Sequence, residues 1–518
     1  MNSRRGIVAA GHSVTAEAGA WALREGGNAV DAAVAAVLTS FATESPLTGF
    51  GAGGYMLINE PGVDPVVLDF FVEMPGRERA QPESELVPVS IYFTDAVPQV
   101  FNIGVASNGI YGTAAGLEAA LDRAGSMPLD ELVKPAIKAA RGGVVVNEQQ
   151  AYLHRILESI LASEPASAAL YAPEGTMLGA GDRFFFPELA DALERFAAEG
   201  AEPFYRGEIA ERISDWVIER GGTIGRSDLA GYEVVAREPV RAPFAGREIL
   251  TNPPPSSGGV LIAFALELLD RLGGCGVGEL VGAMSEAQAA RDEQFIAGLA
   301  GAGFAEAFLV DSRLDDTAER IRRGLEAAAS APGDRLGSTT HVTAVDGEGR
   351  CASVTCSNGS GSGVVVPETG ISLNNMLGEQ DLNPLGFHQA PIGSRMPSMM
   401  SPTVILRDGE LEAGLGSAGS NRIRSAVLQT IVGILDRGLD AQAAIDAPRL
   451  HFEAGVVHAE PGIDTAALSK LESIGVPVER WSEPNLFFGG VQAVTRDPTT
   501  GELSGGGDPR RGGAVAYA

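Results

Sequence analysis

Between residues 13 and 42 the apolar positions fall into two helical runs, separated by Gly26-Gly27-Asn28. Ser13 is the predicted N-cap of the first run. Glu17, Trp21, Leu23 and Arg24 continue its pattern until the glycines stop it. The second run begins near Ala29 and is so rich in alanine and valine that burial on most sides is expected. A glycine-dense turn, Gly49-Phe50-Gly51-Ala52-Gly53-Gly54, precedes a predicted strand, Tyr55-Met56-Leu57-Ile58. Residues 113 to 220 read as mostly helical and 246 to 251 as a strand. The stretch Asn252-Pro253-Pro254-Pro255-Ser256-Ser257-Gly258-Gly259 reads as a rigid loop that caps a helix from about Val260. Another helix is predicted over roughly 278 to 300. Residues 301 to 338 read as an exposed linker, because Glu319 to Ala331 is charged and alanine-rich and Pro332-Gly333-Asp334 breaks it. From Thr339 the period shortens to two. Strands are predicted at 339–346, 350–357, 402–407 and 411–416, and helices at about 420–437 and 464–474. No internal repeat and no shift in composition divides the chain into independent domains.

Two of these strands, Thr339 to Asp346 and Arg350 to Ser357, flank Gly347-Glu348-Gly349, a short hairpin loop. If the hairpin is symmetric about Glu348, Thr339 lies opposite Ser357, and residues directly opposite are side-chain neighbours. A β-bulge would shift this register. Two hydroxyls would then meet at the open end of the hairpin, next to the expected linker. A threonine hydroxyl is a weak nucleophile that needs a base, and a free α-amine with a pKa of about 7.7–8.0 can serve. Thr339 has such an amine only after the Ser338–Thr339 bond is cut. On pattern alone, a plain threonine- and serine-rich strand pair is the better account of these residues, because such strands are common.

The formal charge of −29 argues against nucleic acid and against anionic membrane surfaces as partners. Three cysteines are too few for a disulfide framework. Cys351 and Cys356 are expected on opposite faces of one strand as buried apolar groups. The amino terminus has no apolar signal region and no apolar run is long enough to span a bilayer, so a cytoplasmic location is expected. None of the six histidines has metal-ligand spacing, and no metal or other cofactor is expected. His341 falls on the same strand face as Thr339, where it could touch the site or simply pack. Gly49 to Gly54 satisfies G-x-G-x-x-G, but strand and helix come in the wrong order for a dinucleotide site. The proline stretch suits a helix cap better than a partner-binding segment. Asp508-Pro509-Arg510-Arg511 suits an internal carboxylate–arginine clamp better than a basic patch.

Taken in order, several motifs resemble those of the gamma-glutamyltransferase (gamma-glutamyl transpeptidase, glutathione hydrolase) family. They are Gly6 to Ala10 with Gly26 to Ala33, Gly49 to Tyr55, Phe204 to Gly207, Asp228 to Tyr232 and Pro253 to Gly259. They continue with Thr339-Thr340-His341, Leu373-Asn374-Asn375, Pro402-Thr403, Pro448 to His451 and Asp508 to Arg511. The resemblance implies an α+β fold, the αββα four-layer sandwich of N-terminal nucleophile hydrolases. It implies cleavage at Ser338–Thr339 into a large chain, 1–338, and a small chain, 339–518, that remain one catalytic unit. Thr339 would be the nucleophile, supported by Ser357. Gly419 and Ser420 would occupy the oxyanion turn, where a serine amide can donate unless the turn needs positive φ. Asn358, Met376, Glu379, Ser398 and Met399 would face the substrate.

The departures from the family concern the substrate. The family holds the glutamyl carboxylate with an arginine in a stretch that reads Asp69-Phe70-Phe71-Val72-Glu73 here. Arg77 or Arg79 is a candidate replacement. Met376 and Glu379 stand where the family has glutamine and aspartate, and Met399 replaces a serine. The expected activity is acyl transfer from γ-glutamyl amides such as glutathione. A related amidohydrolase with another donor, of the oxamate or cephalosporin-acylase kind, is the alternative, and a non-catalytic binding homologue the third reading. The expected partners are a small amide substrate and the two halves of one precursor. Association into a homo-oligomer stays open.

Overall fold

The two-residue period after Thr339 sends alternate side chains to opposite faces of a sheet, and both faces are buried. This computed structural model describes residues 5–94, 97–324 and 338–518. The two large sheets take from the first half of the chain the strands β1 Gly6–Ala10, β2 Gly53–Asn59, β3 Val66–Phe70, β4 Val235–Arg237, β5 Val240–Phe244 and β6 Arg247–Thr251. Those of the second half are β7 Ser338–Asp346, β8 Cys351–Gly359, β9 Thr403–Arg407, β10 Glu410–Ala418, β11 Gly490–Arg496, β12 Leu503–Gly507 and β13 Ala514–Tyr517. One sheet has the order β13-β1-β7-β8-β2-β3-β4 and the other β12-β11-β10-β9-β6-β5. All these pairings are antiparallel. Both sheets contain strands from before and after Ser338; they interleave in the first, while in the second β6 and β5 form one edge.

Val8, Ala10, Val342, Ala344, Val354 and Cys356 face one helical layer, which includes α1 Ser13–Arg24 and α2 Ala29–Thr43. Ile7, Ala9, Val345 and Cys351 face the second sheet. Helices α3 Ser257–Leu272, α4 Val277–Ala289, α5 Asp311–Arg323 and α6 Arg422–Leu435 cover the far side of that sheet. The result is the expected αββα sandwich. Every residue of α2 is buried, as its small side chains require. Its entry is closed by a reciprocal cap, in which Asn28 Oδ1 accepts from Asp31 N and Asp31 Oδ2 accepts from Asn28 N.

Several boundaries differ from the sequence expectation. His12, not Ser13, caps α1, because its Nδ1 accepts from Val14 N at 3.1 Å. Helix α3 begins at Ser257 rather than near Val260, because the Ser398 carbonyl accepts from the amides of Ser257 and Gly258 and so starts the helix early. The run at 278–300 is two helices, separated where Asp292 caps a new one at Glu293–Gly298. The expected linker is structured as far as Arg323. Phe304–Phe308 and α5 are helical, and Leu314 and Ala318 are buried in the core. Residues 325–337 lie outside the described residues.

Candidate active site

Thr339 pairs with Ser357 across β7 and β8, and its Oγ1 donates to Ser357 Oγ at 3.2 Å. Ser357 Oγ also accepts from Gly359 N at 3.0 Å. The register shift in this hairpin falls between Ser338 and Thr339, one residue beyond the pair, so it leaves the pairing intact. Both hydroxyls are buried and face the second sheet.

The next residues on this face explain how the site is aimed. His341 Nδ1 meets Thr355 Oγ1 at 2.7 Å, and its Nε2 meets Thr343 Oγ1 at 2.9 Å. Burial pushes its pKa down to about 3, so the ring is neutral and structural. His341 stands over Gly416 of β10 and Thr343 stands over Gly414. The same two-residue step leads from Thr339 to Ala418, the last residue of β10, which the Gly419–Ser420 turn follows. Face-to-face packing of two sheets therefore carries this turn to the hairpin's open end.

Both turn residues have positive φ, 123° at Gly419 and 51° at Ser420. Ser420 is thus a non-glycine residue in the left-handed region, which costs about 1–2 kcal/mol. A carboxylate that the sequence did not reveal holds it there. Asp381 Oδ2 accepts from Ser420 Oγ at 3.2 Å and from Asn421 Nδ2 at 2.8 Å.

The other residues expected to face substrate divide. Glu379 lies beside the hairpin, where its Oε1 accepts from Ser360 N at 3.0 Å. Asn358 is turned to the face opposite Ser357, against Gly49, and its buried Oδ1 meets no partner among the described residues. Met376 is packed in the core between the sheets. Ser398 Oγ accepts from Met400 N at 3.0 Å, and Ser398 and Met399 line the N-terminus of α3 rather than the hairpin.

The arginine question is also decided. Arg77 is bound to Asp228 at 3.3 Å, and Arg79 donates to the carbonyls of Ile218 and Gly222, so neither replaces the missing group. Phe71 is buried and stacked on Tyr55. Arg395 enters this neighbourhood but is paired with Asp69 at 3.3 Å and Glu73 at 3.6 Å, and lies over the Tyr232 ring.

On the opposite face of β7, Thr340 Oγ1 donates to Glu44 Oε2 at 2.6 Å, and Thr15 donates to Glu44 Oε1. Burial pushes the Glu44 pKa up to about 7. Burial, reinforced by the Asp381 carboxylate, pushes that of Glu379 up to about 8. An acid that keeps its proton in the folded chain but loses it in the unfolded chain loses stability as pH rises. For Glu379 the contribution is complete below the usual 4.5 and lost as pH climbs through about 8. The melting temperature of the wild type relative to Glu379→Gln is therefore expected to fall between about pH 5 and pH 8.5. A constant difference across that range would mean that Glu379 is ionised throughout.

The remaining motifs settle as structure. Gly53 and Gly54 already belong to β2, and no helix follows. Arg449 and Asp508 pair at 2.7 Å, and Arg510 binds both Asp508 and Glu460, which makes the expected internal clamp. Among the described residues no three His, Cys, Asp or Glu side chains gather as metal ligands, and no helix is long and apolar enough to cross a membrane.

Comparison with known proteins finds relatives along nearly the whole chain. The family model described as Gamma-glutamyltranspeptidase matches residues 15–518. The chain is 31% identical over 553 residues to a glutathione hydrolase proenzyme of Escherichia coli (strain K12), covering 98% of this chain and 91% of that protein. It is 32% identical over 513 residues to the acylase ACY 1 proenzyme of Pseudomonas sp. (strain SE83), covering 97% and 91%. The crystal structure of a cephalosporin acylase from Bacillus halodurans superposes with a TM-score of 0.83 at 26% identity, covering 99% of this chain and 96% of that one.

Proposed function

The chain belongs to the gamma-glutamyltranspeptidase family of N-terminal nucleophile hydrolases, and we propose that it cuts itself at Ser338–Thr339 and then uses Thr339 to hydrolyse or transfer the acyl group of an amide. The observation that carries this is the Thr339–Ser357 hydroxyl pair at the end of β7, where cleavage would create an α-amine beside the nucleophile. Thr339 Oγ attacks the amide carbonyl and its proton passes to the α-amine. The amine then protonates the departing nitrogen, leaving an ester on Thr339. Water or an acceptor amine breaks the ester and restores the hydroxyl. The amides of Gly419 and Ser420 receive the negative oxygen in both steps. The fragments 1–338 and 339–518 stay together because both sheets draw strands from each.

A γ-glutamyl donor such as glutathione is one reading of the substrate. The second, an acylase-like donor outside the glutamyl class, is favoured because the arginines near the altered stretch already have partners. Phe71 is stacked away, Arg77, Arg79 and Arg395 are occupied, and Met376 and Met399 replace polar family residues. A γ-glutamyl 4-nitroanilide assayed beside simple acyl anilides and oxamate separates the two. Weak γ-glutamyl turnover is expected, and robust turnover would show that the lost arginine does not matter.

The Asp381 contact makes a second expectation. Asp381→Ala frees a strained turn, and kcat is expected to fall about tenfold, less than the loss of a whole oxyanion donor. Glycine adopts positive φ without help, so in a Ser420→Gly background the same change should cost threefold or less. Equal losses in both backgrounds would mean that Asp381 does not act through Ser420.

A further inference from the structure

Cutting before Thr339 would turn it into a chain end, and a chain end frays unless something holds it. Strand β1 pairs with β7 only as far as Val342, so Thr339, Thr340 and His341 project past it with β8 as their one strand neighbour among the described residues. Glu44 fills the place beyond β1. It directly follows α2, every residue of which is buried, and its own amide donates to the Ser40 carbonyl at 2.7 Å. Its Oε2 accepts from Thr340 Oγ1 at 2.6 Å and its Oε1 from Thr15 Oγ1 at 3.2 Å, while Thr15 Oγ1 also meets Thr43 Oγ1 at 2.6 Å. Gly11, the first residue after β1, leaves room for this contact. A Cβ there would come 2.2 Å from Glu44 Oε2 and 3.3 Å from Thr340 Oγ1. The carboxylate thus ties the reacting end of β7 to α1 and α2.

The surroundings leave Glu44 as the anion of this end. Burial pushes its pKa up to about 7, against the two hydroxyl donors and the charge of Arg511, which favour the ionised form. The other titratable groups nearby are neutral. His12, next to Gly11, is held neutral because burial lowers its pKa to about 4. Cys356, opposite Thr340, and Tyr171, bonded to Ser45 at 2.8 Å, keep their protons because burial disfavours their anions. The α-amine released by cleavage would lie one residue from the hydroxyl that Glu44 binds. A buried charge is little screened, so the ammonium would favour an ionised Glu44 and Glu44 would in turn favour the ammonium.

We propose that Glu44 is the positioning residue of the reacting chain end, fixing Thr339 through the Thr340 hydroxyl and setting the proton affinity of the α-amine through its charge. This rests on the reading that the chain cuts itself and uses that amine as base. Glu44 acts from the face of β7 opposite the substrate, so it contributes to the rate of the chemistry and not to the hold on the donor.

The test measures hydrolysis of the faster of γ-glutamyl and acetyl 4-nitroanilide, per mole of released Thr339 terminus, against pH. Wild type, Glu44→Gln, Thr340→Val and Thr340→Ser are compared. A base must be neutral to act, so kcat/KM should rise with pH through the apparent pKa of the amine. Removing the anion destabilises the ammonium, and Glu44→Gln should therefore move this rise to lower pH by about one unit. A side chain that merely filled space would leave it in place. Thr340→Val should lower kcat about tenfold at near-normal KM, because the nucleophile is no longer held in line. Thr340→Ser keeps the hydroxyl and should stay within about threefold of wild type. A rise that stays put in Glu44→Gln, or a Thr340→Val enzyme as fast as wild type, overturns the proposal. If Glu44→Gln does not fold, the comparison of Thr340→Val with Thr340→Ser still decides. A wild type that cuts itself and turns over while the variants match it removes the role of Glu44 alone, whereas a wild type that never cuts removes the reading beneath it.

Discussion

Thr339→Ala is expected to leave the 518-residue chain uncut and to abolish acyl transfer. On the proposed mechanism one hydroxyl performs two jobs, since it attacks its own preceding carbonyl and later the substrate. Alanine removes both at once, and the α-amine that would act as base is never released. The drop in turnover should be at least about 10⁴-fold, the scale of losing an activated nucleophile. Intact mass measurement after incubation should show fragments 1–338 and 339–518 for the wild type and one species for the variant. Ser357→Ala should cut and turn over more slowly without stopping either, since Ser357 supports the hydroxyl rather than reacting. A wild type that remains one chain, or a Thr339→Ala chain that still splits, would sink the mechanism.

The second large effect is expected at a residue with no reactive group. Gly416→Ala should destabilise the protein by about 2–3 kcal/mol, the usual cost of overpacking a core. A Cβ there would come 2.2 Å from His341 Cε1 and 2.5 Å from its Nδ1. The ring cannot swing aside, because Thr355 and Thr343 hold both of its nitrogens. The two sheets would have to part at the point that aligns Thr339 with the end of β10. The denaturant midpoint should therefore fall, and self-cleavage should slow with it. An unchanged midpoint with normal cleavage would show that the sheets have slack that the packing does not suggest.

The local order of the active strand pair was readable in one dimension. A short glycine turn and a two-residue period suffice to set Thr339 against Ser357, and the one bulge lies just outside the pair. The alternation of Cys351 and Cys356 and the break at Gly26-Gly27-Asn28 follow from equally short-range rules. Motif order extended this to the αββα class. Helix starts were less legible, since a distant group can supply the cap, as the Ser398 carbonyl does for α3.

The partners across the site were not readable in this way. Glu44 meets Thr340 from 296 residues away, Asp381 reaches Ser420 from 39 away, and Arg511 lies against Gly419. No periodicity encodes such meetings, because they arise only when one sheet is laid on another. The same packing shows that Arg77 and Arg395 are already paired with carboxylates. Near neighbours along the chain set the reacting hydroxyls through backbone geometry. The charges around them, and with those the choice of substrate, depend on which distant surfaces are pressed together when water is expelled.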